Sequence, residues 1–299
     1  MTKIEWTDAT LNPIIGCTKC SPACDHCYAE RMAARLATMP NAPKEYREVI
    51  TDGRWNGQVR WVGGVLDKAL HWRKPRKVFI GSMTDIFHPA VPFEWVDKIM
   101  AVAALTPHIT WQVLTKRPER MREYMADGLR GMHIRLATSQ YSALCRDRTS
   151  PIPFPLHNVW LGTTIWDQDS ADKSVPVLLD TPAALRFVSV EPMLGAVDLQ
   201  DHIGVWGDRR CPCCLGSGQD DYSQCGCCEG KGRFGLDWVI CGGETGPGAR
   251  ATKSAWAKSL RDQCADAGVP FFFKKMGGKD KSDLLDGRQH HEFPREEER

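Results

Sequence analysis

The sequence lacks the features that would place the chain in a membrane or on a nucleic-acid backbone by bulk properties alone. No apolar run approaches the roughly 20 residues that a membrane-spanning helix needs. The opening residues, MTKIEWTDA, do not have the pattern of a secretory signal. Charge of one sign is not in excess either, because the net charge is +2. Any nucleic-acid binding must therefore come from local patches.

The composition is that of a soluble globular protein, with 42% hydrophobic and 25% charged residues. A chain of 299 residues is long enough for one large domain, or for one domain with an insertion. Its 13 cysteines, without a secretory signal, indicate a reducing compartment and the use of metal. We therefore expect a cytoplasmic protein that does not associate with membranes.

Four of the cysteines lie within eleven residues near the N-terminus, in the segment 12–29, NPIIGCTKCSPACDHCYA. Glycine, serine and proline keep this segment from forming a regular helix or strand. Directly after it, apolar residues recur at helical spacing from Ala29. The thiols therefore lie on a loop that leads into a helix N-terminus, a position that favours the thiolate. They are Cys17, Cys20, Cys24 and Cys27.

Two kinds of metal site suit this cysteine loop. A structural zinc ion would use all four thiols as a tetrahedral set. An iron–sulfur cluster with one open iron would use only three. The spacing offers two such triplets, C-x3-C-x2-C from Cys20 and C-x6-C-x2-C from Cys17, and both end in Cys24 and Cys27.

Predicted strands alternate with predicted helices along the chain, which indicates an α/β protein with a parallel sheet. Polar or glycine residues repeatedly follow the strands, where barrel-type α/β proteins place their sites. A doubly wound sheet is the main structural alternative. Strands are predicted near residues 11–15, 77–80, 109–114, 158–164, 185–190, 238–241 and 271–274. The main helices are predicted at residues 28–39, 93–105, from 118, and 254–267.

A second cysteine cluster lies between the fifth and sixth predicted strands. Residues 211–218 and 225–232 each have the pattern C-x-x-C-x-G-x-G, which resembles the zinc modules of DnaJ-type chaperones. Each pair supplies two thiolates from a tight turn. The simplest role is a zinc clip that stabilises an insertion too small for its own core; a lid, a nucleic-acid contact and a second iron–sulfur cluster are alternatives. The predicted ligands are Cys211, Cys214, Cys225 and Cys228.

The first cysteine loop carries a family resemblance. C-x3-C-x2-C followed by Tyr-Ala resembles the cluster loop of radical S-adenosylmethionine (SAM) enzymes. The preceding N-P-x-x-G-C is similar to the opening of the spore photoproduct lyase branch. The wider sequence resembles a poorly characterised, phage-associated family of radical SAM-like proteins. The matching stretches run from residue 4 to about 276: IEWTDATLNPIIGC, SMTDIFHPAVP, LTKRPERM, VSVEPMLG, GGETGPGAR and AGVPFFFKKMG.

This resemblance implies a partial six-stranded barrel, (β/α)6, that holds a [4Fe-4S] cluster and SAM. The implied iron ligands are Cys17, Cys24 and Cys27, with Cys20 as an extra thiol and an alternative first ligand. A 5′-deoxyadenosyl radical would take a hydrogen atom from the substrate. The substrate would be a nucleic acid or nucleotide base undergoing repair or modification, and the electron donor a flavodoxin or ferredoxin.

Residues after the predicted strands are the candidates for holding SAM. Ser82, Met83 and Asp85 lie where the resemblance places the motif that binds the amino group of SAM. Lys116, a cation after the third predicted strand, suits a carboxylate or phosphate. The glycine-rich turn after the sixth strand can cradle an anion, although it does not have the dinucleotide-binding spacing. Ordinary strand-to-loop turns and solvated surface charges are the simpler explanations. The candidates are Ser82, Met83, Asp85, Thr115, Lys116, Thr163, Glu191, Gly242, Gly243 and Glu244.

The predicted organisation has four segments. Residues 1–203 and 236–278 form the barrel, residues 204–235 the zinc insertion, and residues 279–299 a C-terminal tail with a solvated charge run. A radical SAM enzyme is the favoured function. A non-catalytic zinc protein that binds nucleic acid or a protein partner is the alternative, and a scaffold that binds a cluster without turnover is a third.

Overall fold

A computed structural model of the chain describes residues 4–141, 152, 154–203, 235–278, 280 and 282–294. The chain divides into two compact units, Met1–Trp160 and Leu161–Arg299. Both units alternate strands with helices.

The first unit contains a parallel sheet and a set of short strands. Its elements are β1 (Ala9–Leu11), β2 (Ile14–Ile15), α1 (Tyr28–Ala37), α2 (Tyr46–Val49), β3 (Ile50–Thr51), β4 (Arg54–Trp55), β5 (Arg60–Trp61), α3 (Asp67–Leu70), β6 (Arg76–Ile80), α4 (Phe93–Leu105), β7 (Ile109–Thr115), α5 (Pro118–Met125) and α6 (Arg130–Thr138).

The second unit repeats the strand–helix alternation with longer connections. Strand β8 (Val159–Ile165) begins at the end of the first unit. The others are α7 (Gln168–Leu179), β9 (Leu185–Val190), β10 (Trp238–Cys241), α8 (Ser254–Ala267) and β11 (Phe271–Phe273).

The strand order of the main sheet is β1-β6-β7-β8-β9-β10-β11. In the first unit, β6 pairs in parallel with both β1 and β7, and Phe79 lies opposite Thr10 and Gln112. In the second unit, β10 pairs in parallel with β9 and β11, and Ile240 lies opposite Ser189 and Phe272. Parallel pairing brings the carboxyl ends of neighbouring strands to the same edge within each unit.

The prediction of an α/β fold with a parallel sheet is confirmed, and the sheet has seven strands rather than the six that the resemblance implies. The first strand differs in position. It ends at Leu11, and Ile14–Ile15 forms a separate antiparallel pair with β5. Pro13 lies between the two strands and has no N–H to donate to a ladder, which favours an interruption there. Helices α4 and α8 have the predicted bounds.

Helices α6 and α7 were not predicted, and each has its own reason. Helix α6 leaves Met132 and Leu136 more than half exposed, so its apolar residues do not mark a buried stripe. Helix α7 contains Pro176 in its interior, where proline normally argues against a helix. It begins with a capping box in which Asp167 accepts from the Ser170 N–H at 2.9 Å.

Each unit has its own apolar core. In the first unit, Ile15 of β2 is buried together with Ala33 of α1 and Val49 of α2. In the second, Val188, Val239 and other strand residues are fully buried. No helix among the described residues is long and apolar enough to cross a membrane.

Candidate functional site

The cysteine loop leaves strand β2 through a glycine that no other residue could replace without strain. Gly16 has φ +100°, and a Cβ atom there would lie 2.1 Å from the backbone oxygen of Gln58. Its N–H donates to the Met83 carbonyl at 3.2 Å, and its own carbonyl accepts from the Thr84 hydroxyl at 2.6 Å. The loop is therefore attached to the segment that follows β6.

The four thiols of the loop differ in exposure. Cys24 is buried, Cys17 and Cys27 are half-buried, and Cys20 is exposed. Cys27 occupies the N-cap position of α1, and its side chain makes no capping hydrogen bond. Burial and the nearby charges of Asp85, Cys27 and Cys24 together raise the pKa of the Cys17 thiol to about 11, although the Arg117 charge acts in the opposite direction. The charges of both other implied ligands therefore act on Cys17.

The Cys20 and Cys24 thiols form a hydrogen-bonded pair. The Cys20 thiol donates to the Cys24 sulfur, which lowers the pKa of Cys24 and raises that of Cys20. The positive charge of Lys116 lowers the pKa of both thiols. Ser21 adds a contact of 3.4 Å between its hydroxyl and the Cys24 sulfur. Cys24 is thus the thiol of this loop that is most readily a thiolate.

The donor set suits an iron–sulfur cluster chemically. No group of three or more His, Cys, Asp or Glu side chains within the described residues meets the geometry for holding a single metal ion. A four-iron cluster makes a different demand, because each ligand binds its own iron. The three thiols belong to one loop, their charges act on one another, and Cys24 is a favoured thiolate beside the Lys116 cation, so their chemistry suits that demand.

Asp85 lies at the centre of a buried hydrogen-bond network beside the loop. One of its carboxylate oxygens accepts from the Thr115 hydroxyl at 2.7 Å and from the Phe87 N–H at 3.0 Å. The other accepts from the Lys116 N–H at 3.0 Å and from the Arg117 guanidinium at 2.9 Å. Protein donors thus already occupy this carboxylate. A SAM ammonium group would have to displace one of them to bind it directly.

Arg117 connects this network to the cysteine loop. Its second terminal nitrogen donates to both the carbonyl and the hydroxyl oxygen of Thr18, each at 3.1 Å. The Thr18 hydroxyl also lies 2.8 Å from Nε2 of His88. Neither His88 nor Thr18 was among the residues predicted from the sequence to form the site. The sequence marks these residues only by their positions: Thr18 directly follows Cys17, and His88 lies in the stretch TDIFHP.

The predicted amino-group motif after β6 is held by two residues from the cysteine segment. The Asn12 side-chain oxygen accepts from the Ser82 hydroxyl at 3.1 Å and from the Met83 N–H at 3.0 Å. The Tyr28 hydroxyl donates to the Ser82 carbonyl at 2.9 Å. Asn12 and Tyr28 therefore fix the turn that carries Ser82 and Met83.

In the second unit, the candidates after β9 and β10 meet a lysine that follows β11. The Lys274 ammonium group lies 2.5 Å from a carboxylate oxygen of Glu191. A Cβ atom on Gly242 would lie 3.3 Å from the Lys274 Cβ and 3.4 Å from the Glu191 carboxyl carbon. Glu191 therefore connects two strand ends through an ion pair.

Glu244 is buried against an arginine that sequence reasoning did not single out. Its carboxylate accepts from the Arg250 guanidinium at 2.6 and 2.9 Å and from the Arg250 N–H at 2.8 Å. Beside it, a Cβ atom on Gly243 would lie 2.1 Å from the backbone nitrogen of Gly277. The glycine-rich turn thus allows two backbone segments to touch. Thr163 is fully buried in β8.

The four predicted zinc ligands, Cys211, Cys214, Cys225 and Cys228, lie outside the described residues. The residues that flank the insertion are described. Ile203 forms a parallel bridge with Leu236, and the Leu236 N–H donates to the His202 carbonyl at 2.9 Å. The two ends of the insertion therefore lie side by side. The predicted C-terminal tail, residues 279–299, also makes contact with the sheet. The Glu292 carbonyl accepts a hydrogen bond from the Trp238 indole of β10 at 2.9 Å.

Residues 1–294 match the family described as "Protein of unknown function (DUF5131)", which covers nearly the whole chain. The chain belongs to this family. No curated protein and no solved structure matches it.

Proposed function

We propose that the chain is a radical SAM enzyme whose [4Fe-4S] cluster is held by Cys17, Cys24 and Cys27. The observation that carries this proposal is the position of these three thiols on one loop that enters a helix N-terminus, where the charges of Cys24 and Cys27 both act on Cys17. The Asp85–Arg117 network beside them belongs to the same unit. The proposed fold is the partial barrel of radical SAM enzymes, which agrees with the parallel strand order.

The chain's own residues would bind and orient SAM. The turn fixed by Asn12 and Tyr28 presents backbone and hydroxyl groups of Ser82 for the ammonium group. Lys116 is a cation beside the thiols that suits the carboxylate. The bound cluster would supply one electron for reductive cleavage of the SAM sulfonium bond.

The substrate that we propose is a nucleic acid or nucleotide base, undergoing repair or modification. This rests on the lyase-branch motif and on the cations after the strands. Zinc bound by the second cysteine cluster and a flavodoxin or ferredoxin as electron donor belong to the same proposal. A non-catalytic zinc protein is the second candidate, because the sequence spacing of four cysteines in each cluster is also typical of a tetrahedral zinc site.

Anaerobic reconstitution with iron and sulfide tests the proposal. We expect a brown protein with about four irons per chain, a number set by the cluster type. After reduction it should convert SAM to 5′-deoxyadenosine. A colourless protein that binds only zinc would exclude the radical mechanism.

Two serine variants form a matched pair for the ligand assignment. Cys17→Ser should lose most of its iron and all SAM cleavage, because one iron has lost its ligand. Cys20→Ser should keep both, because its exposed thiol is not a ligand in the proposal. Loss of iron in Cys20→Ser with retention in Cys17→Ser would transfer the first ligand to Cys20.

A further inference from the structure

The Thr18 hydroxyl lies next to Cys17 and receives two side-chain contacts from the segments after β6 and β7. Its oxygen lies 3.1 Å from the Arg117 terminal nitrogen and 2.8 Å from Nε2 of His88. Arginine can only donate. The role of His88 depends on which ring nitrogen carries the proton.

The backbone settles the tautomer of His88. The Ala90 N–H donates to Nδ1 of His88 at 3.1 Å, so Nδ1 carries the lone pair. Burial and the charge of Arg117 lower the pKa of His88, which keeps the ring neutral. In a neutral ring with Nδ1 as acceptor, the proton is on Nε2. His88 therefore donates to the Thr18 oxygen, as Arg117 does.

Two donors occupy both acceptor positions of the Thr18 hydroxyl, since a hydroxyl has two lone pairs and one proton. The proton must then be directed away from His88 and Arg117. Within the described part of the chain, no protein acceptor receives it, because its contacts are those two donors. The side chain is half-buried, so the hydroxyl is not simply a solvated surface group.

We infer that the Thr18 hydroxyl is a pre-oriented hydrogen-bond donor to the anionic sulfur held at the cysteine loop, and that His88 and Arg117 are its positioning residues. This inference rests on the proposed cluster at Cys17, Cys24 and Cys27. Hydrogen bonds to cluster sulfurs are one means by which a protein sets the reduction potential, because they stabilise the more negative, reduced state. The same contacts hold Cys17 in place before a cluster binds.

Four variants separate the hydroxyl from its surroundings. Thr18→Val removes the hydroxyl and keeps the shape, whereas Thr18→Ser keeps the hydroxyl. His88→Leu removes the donor to Thr18, whereas the amide N–H of His88→Gln can replace Nε2–H. The first readout is the midpoint potential of the reconstituted cluster, followed by EPR. The second is the rate at which iodoacetamide alkylates Cys17 in the metal-free protein, followed by peptide mass spectrometry.

In Thr18→Val and His88→Leu we expect a more negative midpoint potential than in the wild type. We also expect iodoacetamide to alkylate Cys17 about fivefold faster, because the loop has lost one net hydrogen bond that keeps it closed. Thr18→Ser and His88→Gln should match the wild type in both. The buried Cys264 should stay unreactive in all four variants, which controls for global unfolding.

A wild-type potential in Thr18→Val would overturn the donor role, and so would a Thr18→Ser variant that behaves like Thr18→Val. If the wild type binds no iron, the proposed function fails and the donor role fails with it. The alkylation rates then still decide whether His88 and Thr18 position Cys17. Unchanged rates in Thr18→Val and His88→Leu would reject that role too.

Discussion

Asp85 and His88 lie three residues apart after β6, and both hold the cysteine loop through Thr18. His88 contacts Thr18 directly, whereas Asp85 acts through Arg117. Both side chains are buried, so their polar groups need the partners that they have. At the residue scale, the candidate site therefore consists of the cysteine thiols together with a buried network that positions their loop.

The Asp85–Arg117 pair should contribute strongly to stability. Its side chains are only 8% and 12% exposed, so Asp85→Asn leaves an unpaired, largely buried guanidinium. We expect a loss of about 3 kcal/mol in the free energy of unfolding, measured by urea denaturation. The exposed pair of Arg60 and Glu48, at 38% and 44%, is the control, and Glu48→Gln should cost less than about 0.5 kcal/mol. Equal losses of unfolding free energy in the two variants would contradict the assignment of Asp85 as the centre of a buried network.

His88 should make stability fall at acidic pH. Burial and the Arg117 charge lower its pKa in the folded state, so the unfolded chain takes up the proton first as the pH falls. The contribution of a neutral His88 is therefore complete above the unfolded pKa of about 6.5 and is lost as the pH falls through the folded value. The slope of unfolding free energy between about pH 7.5 and pH 5.5 should be smaller in His88→Gln than in the wild type. Identical slopes would show that His88 does not titrate in this range.

At the scale of elements, the glycine-rich turn after β10 allows close contact between two backbone segments. Gly243 touches the Gly277 segment beyond β11, and the Gly243 N–H donates to the Lys275 carbonyl at 2.9 Å. Glu191 and Lys274 join the neighbouring strand ends with an ion pair. The strand ends of the second unit are therefore fixed to one another by backbone and by charge.

Gly243→Ala should separate these segments, because its Cβ would lie 2.1 Å from the Gly277 nitrogen. We expect destabilisation of about 2 kcal/mol or more from overpacking, seen as a lower midpoint in urea. Gly128→Ala is the control, since no atom lies within 4 Å of the added methyl group, and it should be nearly neutral. A neutral Gly243→Ala would mean that the turn can open without cost.

At the scale of the whole molecule, the predicted insertion at residues 204–235 lies between β9 and β10. The residues that flank it, Ile203 and Leu236, are paired with each other. The parallel bridge between Ile203 and Leu236 closes the base of this segment. Leu236 and Ile203 are both buried, so the closure belongs to the core of the second unit. The parallel pairing of β9 with β10 continues the sheet of the second unit across it.

Replacing residues 204–235 with a flexible linker of about six residues should leave a folded protein, because the ends of the insertion already lie together. Calorimetry should show one cooperative transition with a Tm within a few degrees of the wild type. Under the proposed zinc assignment, zinc should fall by about one ion per chain while iron is unchanged. Loss of cooperative unfolding would show that the insertion is part of the core.

The sequence alone determined the α/β class, the alternation of strands and helices, and the positions of the polar residues after the strands. These features follow from local hydrophobic periodicity and from proline and glycine, which act over a few residues. The helix at Phe93–Leu105 and the strand at Leu185–Val190 were predictable for this reason. The cysteine spacing likewise predicts a metal loop, and this stays a prediction.

Only the tertiary structure decided which partner each of these residues has. Thr18 and His88 are 70 residues apart in the chain, and Glu191 and Lys274 are 83 apart. No periodic pattern spans such distances, because the contacts arise from the parallel register that brings strand ends to one edge. That register makes Asp85 a buried acceptor for four donors rather than an open carboxylate. It also brings the Thr18 hydroxyl within hydrogen-bond distance of both His88 and Arg117.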